Sequence, residues 1–378
     1  MMNWPFEFYL DPEPEGGRPS RLPPKRDRRR GNRPRRRTHD QRRIQGRRPS
    51  RRPHRFSADV DRRLKQLSAT DNWHGPLALI EDSVIFTLAI LLYLFNRSLL
   101  PASAVLIGTR QRGLATLLHE ASHYTLCRWR WLNVAIGSIA GWLIFQTFIR
   151  YWQTHVKAHH PFLGDENLDP DIKNYLDQGL FEHNGKSFVL VHVIPLILGL
   201  KSVRNLASLI RDRLLPAGLS TMSAAGAIEY VGFVGFWTLL ITAAISFGFW
   251  QELLLLWLLP YLTVFQTVNW AIEVAEHFPL TRLFDTELEM TRNRRGPPLE
   301  NFFTGIHGES WHLVHHLRPG IPFWNVAKAH QVMMADPQYA AANAVNGGLF
   351  MRGPMKEPSI LSLLNEQLRK ISAADEMN

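Results

Sequence analysis

The chain has a single cysteine, Cys127, among 378 residues. One thiol cannot form an intrachain disulfide, a four-cysteine iron–sulfur cluster or a rubredoxin-type iron site. Any electrons that this protein uses are therefore expected to come from another protein. The first residues also lack an apolar stretch next to a basic one, so no signal peptide is predicted.

Acidic residues are fewer than basic ones, and the imbalance lies in one segment. The formal net charge is +11, and residues 18–55 carry 18 Lys and Arg against Asp27 and Asp40. A segment this basic and this poor in apolar residues cannot bury a core, so we predict a disordered tail over residues 1–56. We expect the tail to be a solvated extension or a contact for anionic membrane lipid, and we expect no nucleic acid partner.

Long apolar runs predict an all-α integral membrane protein. Runs near about 20 residues can cross a bilayer, whereas runs of about 10–14 more often lie at its surface or in a core. We predict four transmembrane helices in two hairpins, formed by the first two and the last two runs, together with interfacial helices. The runs are 76–98, 99–118, 131–150, 187–200, 229–248 and 252–268.

Half of the 16 histidines fall into three short clusters, or boxes. Each box contains two histidines four residues apart, which places them on one face of a helix. Imidazole is a suitable ligand for iron, copper, zinc and nickel. Eight imidazoles are too many for one ion and about right for two. The boxes hold His119 and His123; His155, His159 and His160; and His312, His315 and His316.

The order of boxes and runs limits the topology, because boxes that share a site must lie on one side of the membrane. Only the run 131–150 separates the first two boxes, so we predict that it is re-entrant or interfacial. The histidines then form a cap on the side of the Arg-rich tail and of Arg292-Asn-Arg-Arg295, which the positive-inside bias assigns to the cytoplasm. A membrane domain over 57–335 would precede a cytoplasmic extension over 336–378.

The patterns HxxxH, HxxxHH and HxxHH among apolar hairpins resemble the membrane-bound fatty acid desaturase superfamily, which includes hydroxylases and carotenoid ketolases. The similarity covers about residues 76–335, with Gly108-Thr-Arg-Gln-Arg-Gly-Leu before the first box and Trp311–Trp324 around the third. It implies two iron ions held by the eight histidines, which use O₂ to remove hydrogen from an unactivated C–H bond. It also implies a separate electron donor, a ferredoxin or cytochrome b5 with its reductase, since no HPGG-like haem-binding signature is present.

The resemblance adds a ninth candidate ligand, His277, on the helix after the second hairpin. Glu273 stands four residues earlier, where relatives can carry Asn. Each ligand imidazole needs an acceptor for its second ring nitrogen. The candidates for this orienting role are Asp165, Glu166, Asp169, Asp171, Glu273, His307 and His330.

Two other classes compete with this interpretation. His119-Glu-Ala-Ser-His123 matches the HExxH motif of zinc proteases, with Glu120 as the general base. A zinc site needs only three protein ligands, which leaves two boxes unexplained, and the metzincin continuation is absent. A metal transporter would carry charged residues within its spans, but the interiors of runs 229–248 and 252–268 have none.

The sequence leaves the substrate open. The resemblance favours a desaturase that acts on a fatty acyl chain. A small amino-acid-derived metabolite, as in the desaturation that completes rhizobitoxine, and a carotenoid are alternatives. Hydroxylation is a further alternative, because it differs from desaturation only in the fate of the substrate radical.

Overall fold

The computed structural model describes residues 52–181, 188–198, 200–215, 222–364 and 366–368. The predicted tail lies outside these residues except for its last five. In the described part of the chain, regular structure is helical apart from one isolated bridge between Arg52 and Thr286. The all-α class is therefore confirmed, whereas the number of spans stays a prediction.

Local sequence explains several helix ends in the first half of the chain. The Ser57 hydroxyl accepts the Val60 N–H at the start of α1, and the Asp169 carboxylate accepts the Asp171 N–H at the start of α6. The helices of this half are α1 Ala58–Leu67, α2 His74–Phe95, α3 Leu100–Ser122, α4 Arg130–Leu143, α5 Phe148–Phe162, α6 Pro170–Asp177, α7 Val189–Val193 with Ile194–Ile197, and α8 Ser202–Leu209 with Ile210–Leu214.

The second half begins with two long helices and continues with short ones. The Ser223 hydroxyl accepts the Gly226 N–H at the start of α9. The short helices belong to the region that carries the third histidine box. The elements are α9 Ala224–Ser246, α10 Trp250–Leu283, α11 Pro298–Thr304, a 3₁₀ turn Ile306–Trp311, α12 His312–Leu317, α13 Val326–Met333 and α14 Pro337–Asn343.

Three helices in the described residues, α2, α9 and α10, are long and apolar enough to cross a membrane. Their outer faces leave side chains such as Leu88 and Leu239 exposed, as lipid-facing residues are. The predicted partner of α2, run 99–118, forms α3. That helix carries Arg110 and Arg112 and is buried inside the protein over most of its length.

The run 131–150 is broken in the structure. Its helix α4 ends at Leu143, and α5 leaves at 97° to it, which is the geometry of a broken span or of a re-entrant loop. The Glu229 carboxylate of α9 accepts the N–H groups of Phe148 and Ile149 (2.9 Å for Ile149). It thereby satisfies backbone donors at the start of α5 that have no partner within the helix.

Helix α3 lies at the centre, next to α2, α4 and α10. A Cβ atom on Gly108 would lie 2.5 Å from the Cβ of Val264, so α3 and α10 approach more closely than larger residues would allow. This close approach places the end of α3, where the first histidine box lies, beside the end of α10, where His277 lies.

Two hydrophobic cores cross the predicted domain boundaries. On the N-terminal side, Phe56 belongs to one core with Leu313 of α12 and Tyr339 of α14. On the C-terminal side, Leu349 and Ile360 pack with Trp270 and Phe278, among other residues. The described residues around positions 56 and 335 are therefore continuous with the helices that carry the histidines.

The Arg292–Arg295 segment is not a membrane-facing basic flank. Arg292 and Arg294 are each only 1% exposed. Arg292 donates to the Phe278 carbonyl at 2.6 Å, and Arg294 donates to the Thr304 carbonyl at 2.6 Å. Because these charges are buried in the protein, they do not indicate on which side of the membrane the histidines lie.

Candidate metal centre

The first histidine box forms the last turn of α3 and the residue after it. His119 and His123 are one helical turn apart, with ring centroids separated by 5.0 Å. The Nε2 atoms of both rings are buried and have no hydrogen-bond partner among the described residues. Buried polar nitrogens without a partner are rare in proteins, and an absent metal ion is one of the accepted reasons for them.

The second box lies on a widened stretch of α5. The His160 N–H donates to the His155 carbonyl five residues back, as in a π-helix rather than an α-helix. The Nε2 atoms of His155 and His160 are 3.1 Å apart as a result. His159 lies between them in sequence, yet its ring is beside His277, at a centroid distance of 4.8 Å.

The third box forms α12, directly after a turn in which His307 and Gly308 have positive φ. The His312 Nε2 atom is 3.0 Å from the Nε2 of His277, and the His316 Nε2 is 3.1 Å from the Nε2 of His312. The remaining histidine of this box, His315, points toward the second box instead. Its Nε2 lies 3.1 Å from the Nε2 of His160.

All nine predicted ligand histidines meet in two neighbouring groups. Within each group, one nitrogen from every ring lies within 4.8 Å of the others. The boxes do not correspond to the groups one to one, because the second and third boxes are each divided between the two. Group A contains His119, His123, His155, His160 and His315, and group B contains His159, His277, His312 and His316.

The donor sets fit metal ions. Bonds of about 2.0–2.1 Å to imidazole, at angles of about 90–110°, put neighbouring ligand nitrogens about 3 Å apart. The four closest Nε2 pairs are separated by 3.0–3.1 Å, two in each group. The spacing of the rings is therefore what one ion in each group would require.

Burial keeps the third box in the form that binds metals. Desolvation, reinforced by the neighbouring histidines, holds the pKa values of His312, His315 and His316 well below the ordinary 6.5. Since a protonated imidazole cannot ligate, a low pKa keeps these rings neutral and available at physiological pH.

Some predicted orienting groups contact ligand rings. The His159 Nδ1 atom lies 3.0 Å from Asp169 and 3.1 Å from Asp171. Asp169 is itself fixed, because it also accepts the N–H groups of Gly164 and Asp171. The Nδ1 of His277 is oriented by the protein in the same way, 3.3 Å from the Met290 carbonyl. Carboxylates and carbonyls at this position fix the ring and make it a stronger ligand.

Other candidates for this role are corrected by the structure. The Asp165 carboxylate accepts backbone N–H groups in an exposed turn, and Glu166 pairs with Arg282. The reason is that the acidic turn after box two is too short for all its carboxylates to reach a ring. His330 also lies elsewhere: its ring stacks on Trp311 at 4.3 Å, and its Nδ1 is 2.8 Å from the Tyr339 hydroxyl.

Glu273 and His307 lie beside the centre rather than on a ligand ring. The Glu273 carboxylate accepts the Asn269 side-chain amide at 3.0 Å. The His307 Nε2 is 2.9 Å from Asp82, a fully buried carboxylate on α2. Both residues line the cavity next to the histidines, so they form part of its wall and do not orient a ligand ring.

Asp169→Ala is expected to weaken metal binding about 10–100-fold while the protein stays folded, because loss of an orienting acceptor frees the His159 ring. Metal content after dialysis against a graded chelator series measures this. The matched control is Asp165→Ala, which changes an acidic residue of the same turn that contacts no ligand ring. Equal metal retention by the two variants would contradict the orienting role.

A cavity adjoins both histidine groups. Most of its lining residues are charged or polar, and sequence reasoning missed several of them. The signal was present: Arg112 precedes His119 by seven residues, two turns along the same face of α3, and Glu309 precedes His312 by three. The missed residues are Arg112, Tyr151, Tyr175, Arg213, Glu276 and Glu309.

Most charged groups of this wall are paired. Arg112 donates to the Glu309 carboxylate and, at 3.0 Å, to the Asn269 side-chain oxygen. Arg213 pairs with Asp171 at 3.2 Å, and so links the wall to His159. Burial raises the pKa of Glu309 above its ordinary value, which makes the neighbouring guanidinium important for keeping this carboxylate ionised.

Comparison with known proteins assigns the chain to a family. Residues 97–344 match the fatty acid desaturase family. The chain belongs to the fatty acid desaturase family. The resemblance inferred from the three boxes is thus confirmed, and the chain is an oxidoreductase of the membrane. The matched range includes all nine histidines of the two groups and all the helices that carry them.

A curated member of this desaturase family shows similarity over nearly its whole length. It is the dihydrorhizobitoxine desaturase of Bradyrhizobium elkanii, which is 34% identical over 321 residues. The alignment covers 84% of the present chain and 91% of that protein. Both comparisons support desaturation as the reaction.

Proposed function

We propose that this protein is an O₂-dependent di-iron desaturase of a small, polar, amino-acid-derived metabolite. The observation that carries the substrate class is the wall of the cavity beside the two histidine groups. Seven of its lining residues are Arg, Asp or Glu, and only a few are apolar. A cavity built for an acyl chain would be lined mostly by apolar side chains.

The similarity to dihydrorhizobitoxine desaturase supports the same choice independently. An amino-acid-derived substrate carries both charges, and the wall offers both: Arg112 and Arg213 for a carboxylate, and Glu273 and Glu276 for an ammonium group. These opposite charges are fixed on different helices, so they would hold such a substrate in one orientation.

Iron in groups A and B would supply O₂ activation and removal of hydrogen from two neighbouring carbon atoms. Overall, one –CH₂–CH₂– unit, O₂, two electrons and two protons give –CH=CH– and two water molecules. The histidines bind the ions. Asp169 and Asp171 orient His159, and the paired charges of the cavity wall position the substrate.

The electrons are proposed to come from a separate ferredoxin or cytochrome b5 with its reductase. The single cysteine, Cys127, is buried and cannot act as a redox centre by itself. We further propose a multi-pass protein with two hairpins and with the histidine groups on the cytoplasmic side, where soluble reductases and their carriers are found. Membership of the desaturase family and the three apolar helices α2, α9 and α10 support the proposal of a membrane protein.

The experiment is a substrate comparison with the detergent-purified, iron-loaded protein and a ferredoxin or cytochrome b5 reducing system. Dihydrorhizobitoxine and stearoyl-CoA are offered separately, and products are identified by mass spectrometry. We expect loss of two hydrogen atoms from dihydrorhizobitoxine and no change in stearoyl-CoA. Desaturation of stearoyl-CoA alone would overturn the small-metabolite proposal, and a gain of one oxygen atom would replace desaturation by hydroxylation.

A further inference from the structure

A second polar pocket adjoins the cavity at the metal centre. It lies among α6, α8 and α10. Asp171, Arg213 and Glu273 line both spaces, so these three side chains form the boundary between them. Since Asp171 also contacts His159, the pocket begins directly behind the ring of a candidate ligand.

Two lining residues of this pocket, Asn205 of α8 and Gln266 of α10, have buried side-chain atoms without a hydrogen-bond partner among the described residues, and only in Asn205 does this apply to both polar atoms. Asn205 is only 7% exposed. Leaving a buried amide without partners costs free energy for each unpaired group. If Asn205 had only a structural role, an apolar side chain of the same size would therefore make the protein more stable.

The charges around Asn205 favour a cation. The pocket is lined by the carboxylates of Asp171, Asp212 and Glu273 and by one guanidinium, that of Arg213. Arg213 is already paired with Asp171 at 3.2 Å, and Asp212 pairs with Arg211 from outside the pocket at 2.8 Å. The third carboxylate, that of Glu273, has no cationic partner within 4 Å among the described residues. Its hydrogen-bond partner is the Asn269 side-chain amide.

We propose that this second pocket binds the polar end of the substrate that lies away from the reacting carbons, and that this end carries an ammonium group. The Oδ1 of Asn205 and the Glu273 carboxylate accept from the ammonium group, while the Asn205 Nδ2 donates to an adjacent oxygen of the substrate. This inference rests on the proposed function, because it assigns the far end of the same small metabolite.

The arrangement makes Asn205 a specificity-determining residue. A substrate extending from the iron-binding cavity past Asp171 and Arg213 would satisfy the buried amide of Asn205. A substrate with an apolar far end would leave it unpaired. Sites whose buried polar groups require a matching partner reject analogues that lack one much more strongly than apolar pockets do.

The test uses Asn205→Leu, which keeps the size of the side chain and removes both polar atoms. With dihydrorhizobitoxine as substrate, we expect KM to rise about tenfold or more, which corresponds to loss of one hydrogen bond to a charged group. The decrease in kcat should be much smaller. Iron content should not change, and the apparent melting temperature should stay the same or rise, because an unsatisfied amide has been removed.

Three further variants and one binding measurement complete the test. Asn205→Asp keeps the acceptor for the ammonium group and loses only the donor, so a smaller rise in KM than in Asn205→Leu is expected. Asn205→Ser is a smaller substitution for the case in which Leu disturbs folding, and it should also raise KM because the shorter side chain cannot make both contacts. Ser202→Ala changes another buried polar residue of α8 that lies outside the pocket, and it should leave KM unchanged. Calorimetric titration of dihydrorhizobitoxine into the iron-loaded protein, without a reductant, measures affinity independently of turnover.

The outcomes separate the two proposals. If dihydrorhizobitoxine is desaturated with the same KM and affinity by Asn205→Leu and by the natural protein, the second pocket is not part of the substrate site, while the proposed function stands. If the natural protein neither binds nor desaturates dihydrorhizobitoxine but desaturates stearoyl-CoA, the small-metabolite function fails and this inference fails with it.

Discussion

His315→Ala is expected to abolish desaturation and to lower the iron content, and His159→Ala is expected to do the same. His315 belongs to group A and His159 to group B. Changes to residues that merely orient a ligand cost about 10–100-fold in metal affinity or activity, so loss of a ligand should exceed that range. A site that needs both ions would fail in either variant, although the two residues lie on different helices.

Elemental analysis beside the activity assay gives the measurement. We expect about two iron ions per chain in the natural protein and markedly fewer in either variant. His330→Ala is the matched control, because His330 is also buried but contacts Trp311 and Tyr339 rather than either group. It should keep its iron.

The same experiment separates the di-iron site from the zinc protease alternative. One zinc ion per chain, with full activity in His159→Ala and His315→Ala and none in Glu120→Ala, would establish the protease class instead. In the structure, the Glu120 carboxylate lies 3.2 Å from the Nδ1 of His119 and also accepts the Thr125 hydroxyl and the Phe323 N–H. These contacts support an orienting part for Glu120 at the His119 ring.

Arg112→Met is expected to destabilise the protein by about 3–5 kcal/mol, the usual effect of removing one partner from a buried ion pair. Arg112 is 7% exposed and contacts Glu309, while Glu273 and Glu276 line the same cavity. Without the guanidinium, several buried carboxylates lose a compensating charge. Substrate binding should also weaken, because Arg112 is one of two arginines that face the cavity.

The apparent melting temperature in detergent and the KM for substrate measure the two effects. The double variant Arg112→Met with Glu309→Leu removes both charges and should be more stable than Arg112→Met alone, while its KM stays high. If the single variant melted at the same temperature as the natural protein, the charge pair would not be a structural element of the cavity wall. Arg130→Ala, at an exposed position of α4, is the control for loss of one positive charge.

The sequence by itself predicted eight clustered histidines able to bind metal and a membrane protein. Histidine spacing and apolar runs are sufficient for this, because both depend on local pattern and residue chemistry, whereas the desaturase family was inferred from the resemblance of the three boxes. The ninth ligand, His277, required the resemblance, since a lone histidine at a helix end has no distinguishing local signal.

The partition of the histidines was decided by the tertiary structure alone. Spacing of four residues predicts that His155 and His159 face one site, but the π-helical widening of α5 turns them to different groups. Similarly, the short acidic turn after the second box offered several equivalent carboxylates. Only the fold brought Asp169 and Asp171 to His159 and left Asp165 bound to backbone N–H groups of its own turn.

The substrate space as a whole could not be predicted from the sequence, although the spacing of Arg112 from His119 and of Glu309 from His312 was a partial signal. Arg112, Arg213, Glu276 and Glu309 are far apart along the chain, and each could have been a surface charge. They form one wall because α3, α8, α10 and the turn before α12 converge, and no local pattern encodes that convergence. Residue types and spacing determine which chemistry the chain can perform, whereas long-range packing determines which molecule can reach it.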